Sequence, residues 1–212
     1  MPILSGMSVA PHEIVTARVR QRRLIGALFL NLTLLGLVGA TFYTQDLRYS
    51  LPTPKPKHYA PPKPLIQVRL PRPDGRPVLL CFASADCGCT RFNQDHLWAL
   101  AHQFGKTVRF IEVIESDRAD GLDSPGEVLL DPRGTWARAC GVYSTPQAVV
   151  LDRSDRLVFR GNFNSSRFCA EPSTQYARIV LESVVADRSV PSLPANATIA
   201  YGCAIPAAEV NR

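Results

Sequence analysis

The stretch from Leu24 to Tyr43 constrains this chain more than any other part of its sequence. Its 20 residues carry no charge. At about 1.5 Å per residue, a helix of that length spans the roughly 30 Å hydrocarbon core of a bilayer. Arg20, Arg22 and Arg23 precede it, and a basic flank is typical of the cytoplasmic end of a membrane helix. The sequence therefore predicts a basic cytoplasmic segment over residues 1–23 and a single-pass anchor in the inner membrane over residues 24–43.

The same stretch permits two other interpretations. Val38, Gly39 and Ala40 resemble the small-residue pattern of a signal peptidase site. The stretch is therefore also compatible with a cleavable signal peptide. A buried helix of a soluble protein is the third interpretation. The anchor and the signal peptide both place the C-terminal part in the periplasm or another extracytoplasmic space.

A proline-rich segment follows the apolar stretch. Half of the 18 prolines lie between Pro52 and Pro77. Such a sequence favours extended polyproline II structure of about 3 Å per residue. We therefore expect a semi-rigid linker over residues 44–64 and a folded domain over residues 65–206.

The positive charge lies mainly outside the predicted domain. The formal net charge is +6, yet residues 78–212 hold 13 basic and 15 acidic side chains. A nucleic-acid-binding domain concentrates positive charge on its folded part. The sequence therefore predicts no nucleic-acid partner.

The C-terminal part alternates between strand and helix patterns. Short apolar runs predict buried strands, and apolar residues at helical spacing predict amphipathic helices. The order is strand, helix, strand, short strand, short helix, two strands joined by a polar turn, and a last helix. This order predicts an α/β domain with a central mixed sheet flanked by helices. The predicted elements span residues 77–83, 90–105, 108–114, 127–130, 135–140, 147–151, 156–161 and 172–187.

Two motifs carry a family resemblance. The strand LLCFA runs into the cysteine-bearing helix start SADCGCTRF, and Thr145-Pro146 precedes the strand–turn–strand–helix end of the domain. Together they resemble the thioredoxin-like superfamily over about residues 65–190, in particular its membrane-anchored extracytoplasmic redoxins. The run Cys-Thr-Arg-Phe-Asn with the late Gly202-Cys203 also resembles a bacterial thioredoxin-like group. The resemblance implies a thioredoxin-like sheet, a nucleophilic Cys87, a cis-proline loop at Thr145 and Pro146, and protein thiols or disulfides as partners.

Cys87 and Cys89 stand where thiol–disulfide exchange needs a reactive thiolate. Unpaired N–H groups and the positive dipole end of a helix lower the pKa of a thiol at its N-terminus. We therefore predict Cys87 as the attacking thiolate and Cys89 as the resolving thiol. The spacing Cys-x-Cys departs from the family's Cys-x-x-Cys, because Thr90 occupies the place of the second cysteine.

The other site residues have less specific roles. Cys81 lies where the family often has a buried acid, and it is either a core residue or a third sulfur that accepts a bridge from Cys89. Arg91 either steers acidic partners or is an ordinary surface charge. Cys140 is expected to pack in the interior. Export favours disulfides, and we predict a structural pair of Cys169 and Cys203, with a bridge from Cys203 to the active site as the alternative.

Three other functions remain open from the sequence. Ser84, three residues before Cys87, fits a thiol peroxidase. Cys87 and Cys89 fit a carrier of Cu(I), a metal that prefers soft sulfur ligands, and His96 and His102 follow on the same predicted helix. The missing second cysteine fits a redox-inactive binding module that keeps the fold. No organic cofactor or metal is required by the predicted exchange chemistry.

Overall fold

The computed structural model describes residues 11–47, 50–57, 59–63, 66–68, 70, 74–118, 121, 123–166 and 171–206. Cys169, with its predicted disulfide role, and residues 1–10 of the predicted cytoplasmic segment lie outside these ranges. The chain divides after residue 48 into two units, which are described separately.

The described residues of the first unit form one long helix that ends in a π-helical turn. Helix α1 spans Pro11–Phe42, and a π-helical turn follows over Tyr43–Leu47. Within Arg18–Leu47, an 18-residue window has a mean hydropathy of 2.0, and none of that window is buried. The helix satisfies its own polar side chains, since the Asn31 amide and the Thr33 hydroxyl donate to carbonyl oxygens one turn earlier. By length and composition this helix is a candidate membrane span or signal sequence.

The second unit is built on a five-stranded sheet, and β4 (Ser144–Thr145) and β7 (Cys203–Ala204) form a separate small sheet described below. The five strands are β1 (Val78–Ala83), β2 (Arg109–Ile114), β3 (Glu127–Leu130), β5 (Gln147–Leu151) and β6 (Leu157–Gly161), and their order in the sheet is β3-β2-β1-β5-β6. Strands β1, β2 and β3 are parallel, and the β5–β6 hairpin adds to β1 in antiparallel pairing. All six residues of β1 and all six of β2 are buried, as expected for central strands covered on both faces.

Helices cover both faces of this sheet. Helix α2 (Gly88–Phe104) and helix α4 (Tyr176–Val185) bury apolar side chains against one face, and α3 (Thr135–Cys140) packs on the other. The Asp131 carboxylate accepts the first-turn N–H groups of Thr135 and Ala137 and so determines where α3 begins. The predicted α/β fold class, with a central mixed sheet flanked by helices, is confirmed.

The last predicted helix is shorter than expected. The sequence predicts one helix over residues 172–187, whereas the structure has a 3₁₀ turn at Pro172–Thr174, a break at Gln175 and then α4. The Thr174 hydroxyl donates to the Glu171 carbonyl oxygen at 2.8 Å, three residues back, which favours the tighter turn.

The predicted linker differs from a free spacer over part of its length. The backbone N–H of Thr53 donates to the Ala200 carbonyl oxygen at 2.8 Å, and Thr53 is buried. The Tyr59 ring packs edge-on against Tyr143, with centroids 4.8 Å apart. The chain from about residue 52 therefore lies along the folded unit, because its Thr and Tyr side chains find polar and aromatic partners there.

Candidate functional site

Cys87 sits at the junction of β1 and α2. The strand ends at Ala83, a turn follows, and Cys87 is the N-cap residue of α2 in extended backbone conformation. The turn is closed by two hydrogen bonds: the Cys87 N–H donates to the Ser84 carbonyl oxygen at 3.1 Å, and the Ser84 N–H donates to the Thr90 hydroxyl at 3.2 Å. Thr90 thus fixes the turn that presents the cysteine.

Cys87 forms a disulfide with Cys203, 116 residues later, and their Cα atoms are 5.9 Å apart. This pairing differs from the predicted pairs Cys87–Cys89 and Cys169–Cys203, and it matches the alternative of a bridge from Cys203 to the active site. Cys89 lies two positions after Cys87, and side chains at that spacing on a helix do not face each other. Cys89 is instead buried in the first turn of α2, where it is 8% exposed.

A second, two-stranded sheet brings Cys203 to this place. Strand β4 (Ser144–Thr145) pairs in antiparallel register with β7 (Cys203–Ala204), so that Thr145 lies opposite Cys203. The peptide bond from Thr145 to Pro146 is cis. The Thr145 carbonyl oxygen lies 3.3 Å from the Cys87 Sγ atom. The loop around Pro146 therefore contacts both halves of the disulfide.

Gly202 permits the close approach of the two short strands. Its φ of +125° lies in the region that favours glycine, and a Cβ atom there would collide with the Thr145 carbonyl oxygen. On the other side, the Thr53 hydroxyl contacts the Ser144 hydroxyl at 2.9 Å and donates to the Gly202 carbonyl oxygen at 3.2 Å. The segment of residues 200–206, called the C-terminal segment below, is thus held between β4 and Thr53.

The two sulfur-bearing residues differ in exposure. Cys87 is 1% exposed, and its neighbour Thr145 is 2% exposed. Cys203 is partly exposed, and Ala204 beside it is exposed. Cys203 is consequently the more exposed of the two cysteine residues that the disulfide joins.

The remaining described cysteines are buried thiols. Burial raises the pKa of Cys81 well above the usual range, and nearby Glu112 adds to this effect. Burial and Asp131 together raise the pKa of Cys140 to about 12. Both thiols therefore stay protonated at neutral pH, where the thiolate is the reactive form.

Glu112 is a buried acid that the sequence interpretation missed. It lies on β2 directly opposite Cys81, is 1% exposed, and neither carboxylate oxygen makes a hydrogen bond of good geometry. Burial raises its pKa, an effect that the Ser124 hydroxyl partly offsets and Asp123 reinforces. The available signal was a single acidic residue inside the apolar run from Val108 to Ile114.

The other predicted residues are distributed around this centre. Cys81 faces the interior on β1, and Arg91 is exposed on the first turn of α2. His96 is partly buried, and its ring lies edge-on to Phe163, with centroids 6.1 Å apart. Within the described part of the chain, no group of three His, Cys, Asp or Glu side chains is arranged to hold a metal ion.

The fold and this site define the class of the protein: it has a thioredoxin-like domain with a disulfide at the start of α2. The chain belongs to the family described as a domain of unknown function, DUF6436, whose sequence profile matches residues 62–205. No curated protein matches the chain.

Two solved structures with TM-scores above 0.5 support the fold. An uncharacterised conserved protein from Geobacillus kaustophilus is 22% identical, with a TM-score of 0.54 over 73% of this chain and 97% of the other. A hypothetical protein from Sinorhizobium meliloti is 21% identical, with a TM-score of 0.52 over 62% and 80%. The pneumococcal exposed lipoprotein thioredoxin Etrx1 from Streptococcus pneumoniae is 21% identical, with a TM-score of 0.39 over 45% and 80%.

Proposed function

We propose that this protein carries out thiol–disulfide exchange with extracytoplasmic protein partners, using Cys87 and Cys203 as its redox pair. Cys89, the resolving thiol expected from the sequence, takes no part in this pair. Thr145 and Pro146 line the disulfide and position the partner backbone. The observation that carries the proposal is the disulfide at the N-terminus of α2 beside the Thr145 carbonyl oxygen.

Local chemistry supports Cys87 as the central sulfur. The N-terminus of the 17-residue helix α2 supplies N–H groups and a positive dipole end, both of which stabilise a thiolate at the N-cap. Cys81 and Cys140 have raised pKa values and lack this stabilisation. Among these three cysteines, Cys87 is therefore the best suited to exchange at neutral pH.

Reduction of insulin by the full chain tests the proposal. The protein is purified in detergent and supplied with dithiothreitol, and precipitation of the reduced insulin B chain is followed. We expect the wild-type chain to accelerate the reaction, Cys87→Ser to abolish the acceleration, and Cys140→Ala to retain it. A wild-type chain that matches the no-protein control, with its disulfide unchanged, would instead favour the redox-inactive binding module.

We also propose that α1 anchors the protein in the cytoplasmic membrane with the second unit outside the cytoplasm. The uncharged residues 24–43 and the basic side chains of Arg20, Arg22 and Arg23 before them support this orientation. Carbonate extraction of membranes, with mass analysis of the mature chain, tests it. An intact chain in the membrane fraction is the expected result, and a chain starting shortly after Ala40 would identify a cleaved signal peptide.

A thiol peroxidase is the second candidate, favoured by the long-range partner of Cys87. In such a cycle the Cys87 thiolate takes one oxygen from hydrogen peroxide to give a sulfenic acid and hydroxide. The Cys203 thiol then forms the disulfide and releases water. Peroxide consumption by the reduced chain, measured against its insulin reductase rate, separates the two functions.

A further inference from the structure

Resting on the proposed exchange function, we propose that a partner thiol enters the oxidised protein at Cys203 and expels Cys87 as the leaving thiolate. The mixed disulfide with the partner then forms on the C-terminal segment, and Cys87 itself never bonds to the partner. The covalent contact with the partner is thus assigned to a residue outside the cysteine-bearing helix.

The two cysteine residues differ in exposure in the direction that this route requires. Exchange depends on which sulfur an incoming thiolate reaches. Cys87 is 1% exposed, and the carbonyl oxygen of buried Thr145 lies 3.3 Å from its Sγ atom. Cys203 is partly exposed on a strand of two residues, next to exposed Ala204. An attacking thiolate therefore meets Cys203 first.

The leaving group favours the same direction. A thiol of lower pKa leaves faster from a disulfide. Cys87 leaves at the N-cap of α2, where helix N–H groups and the helix dipole stabilise its negative charge. Cys203 lies in β7, which provides no helix N-terminus. Attack on Cys203 consequently releases the more stable thiolate.

Cys203 stands between two buried anchors of the C-terminal segment. Ala200 and Ile205 are buried in a hydrophobic core cluster and hold the segment on either side of β7. Between them, Cys203 is partly exposed and Ala204 is exposed. An adduct on Cys203 therefore lies on a partly exposed strand, whereas an adduct on Cys87 would need room inside the domain.

The step balances as an ordinary exchange. A partner thiolate attacks the Cys203 Sγ atom, a partner–Cys203 bond forms, the Cys87–Cys203 bond breaks, and Cys87 keeps the electron pair. A second partner thiolate attacks the adduct, which gives a partner disulfide and the Cys203 thiolate, and the released thiolates take up protons. Two partner thiols are oxidised and one protein disulfide is reduced. With the same partner, oxidation of the protein follows the reverse path through the same adduct.

Rapid quenching of the wild-type chain tests the assignment without any substitution. The oxidised full chain in detergent is mixed with limiting glutathione, quenched with acid after short times, alkylated with N-ethylmaleimide, and mapped by peptide mass spectrometry without reduction. We expect glutathione on Cys203 and alkyl label on Cys87, in about tenfold or greater excess over the opposite pattern.

The opposite results are distinguishable. Glutathione mainly on Cys87, or equally on both cysteines, overturns this assignment and leaves the exchange function standing. A disulfide that stays closed at every glutathione concentration overturns the exchange function and this assignment together.

A pair of variants provides a second measurement. The reduced variants Cys87→Ala and Cys203→Ala are exposed to glutathione disulfide, with Cys140→Ala as a control that keeps both reactive cysteines. We expect Cys87→Ala to acquire a stable adduct on Cys203 about tenfold faster than Cys203→Ala acquires one on Cys87. Equal rates, or a faster reaction of Cys203→Ala, would overturn the assignment.

Discussion

The two ends of the disulfide stand in different surroundings. Cys87 follows β1, the central strand, all six residues of which are buried. Cys203 lies on a two-residue strand that pairs with β4 and is partly exposed. Buried Ala200 and Ile205 anchor this strand on either side. One cysteine is thus enclosed by the domain, whereas the other stands on a partly exposed strand between two buried residues. Changes at the C-terminal segment should alter redox behaviour, whereas changes near β1 should alter the stability of the domain.

The largest expected effect comes from reducing the disulfide that joins Cys87 to Cys203. The disulfide closes a loop across 116 residues, and reducing it restores conformational freedom to the unfolded chain. We expect reduction to lower the free energy of unfolding by about 3–5 kcal/mol, because a loop of this length lies at the upper end of the usual range. Urea titrations of the full chain with and without reductant measure this difference. The stability of Cys203→Ala should no longer depend on reductant, whereas that of Cys140→Ala should. If reduction lowers the free energy of unfolding of the wild-type chain by less than about 1 kcal/mol, the loop-closure argument is contradicted.

Gly202→Ala changes the C-terminal segment next to Cys203. The added Cβ collides with the Thr145 carbonyl oxygen at a backbone angle that favours glycine, so the disulfide geometry becomes strained. We expect strain of about 1–3 kcal/mol to make the disulfide roughly tenfold easier to reduce in a glutathione titration. Gly88→Ala is the matched control, because its Cβ meets open space. Equal shifts in the two variants would contradict the role given to Gly202.

Glu112→Gln tests the buried region around β1, where Glu112 on β2 lies opposite Cys81. Burial raises the pKa of Glu112, so the folded state favours the protonated form. Protonated Glu112 therefore contributes stability that is complete below the ordinary pKa of glutamate. That stability is lost as the pH rises through the raised pKa of Glu112 in the folded state. The neutral amide of glutamine avoids that loss. We therefore expect Glu112→Gln to raise the free energy of unfolding by about 1–2 kcal/mol at neutral pH and by less in acid. Unfolding titrations across pH measure it, with Glu182→Gln as the control; a gain that persists unchanged in acid would refute the cause.

Thr53→Val should have the smallest effect, again on the C-terminal segment. The substitution removes the hydroxyl that contacts Ser144 and donates to the Gly202 carbonyl oxygen. We expect this loss to lower the free energy of unfolding by about 1 kcal/mol. Hydrogen exchange at the Ile205 amide, which donates to Tyr143, should become faster. Thr53→Ser keeps the hydroxyl and should behave as wild type, so similar exchange rates in both variants would contradict this hydrogen-bond account.

The core of the fold follows directly from the sequence. The apolar run before Cys87 and the helical spacing of Leu97, Leu100 and Phe104 predicted β1 and α2, and each agrees with the structure to within about two residues. The strands at 127–130 and 147–151 were predicted with the bounds that they have. Helical spacing in α2 and the short apolar runs of the strands carry this information, because several neighbouring positions of one element agree.

The small sheet and the disulfide pairing could not be predicted in the same way. Strands β4 and β7 have two residues each, too few for any periodicity. Six cysteines allow 15 complete pairings, and only the fold brings Cys203 to Cys87. Glu112 needed the strand register to reveal its place beside Cys81, although its charge inside an apolar run was visible beforehand.

Thiol trapping across a glutathione redox series tests the central claim most directly. Thiols of the full chain are alkylated at each potential, disulfides are then reduced and labelled with a second reagent, and each cysteine is quantified by peptide mass spectrometry. The account predicts that Cys87 and Cys203 change state together at one midpoint, while Cys81, Cys89 and Cys140 stay thiols throughout. Joint oxidation of Cys87 and Cys89, or a Cys87 that never changes state, would contradict it.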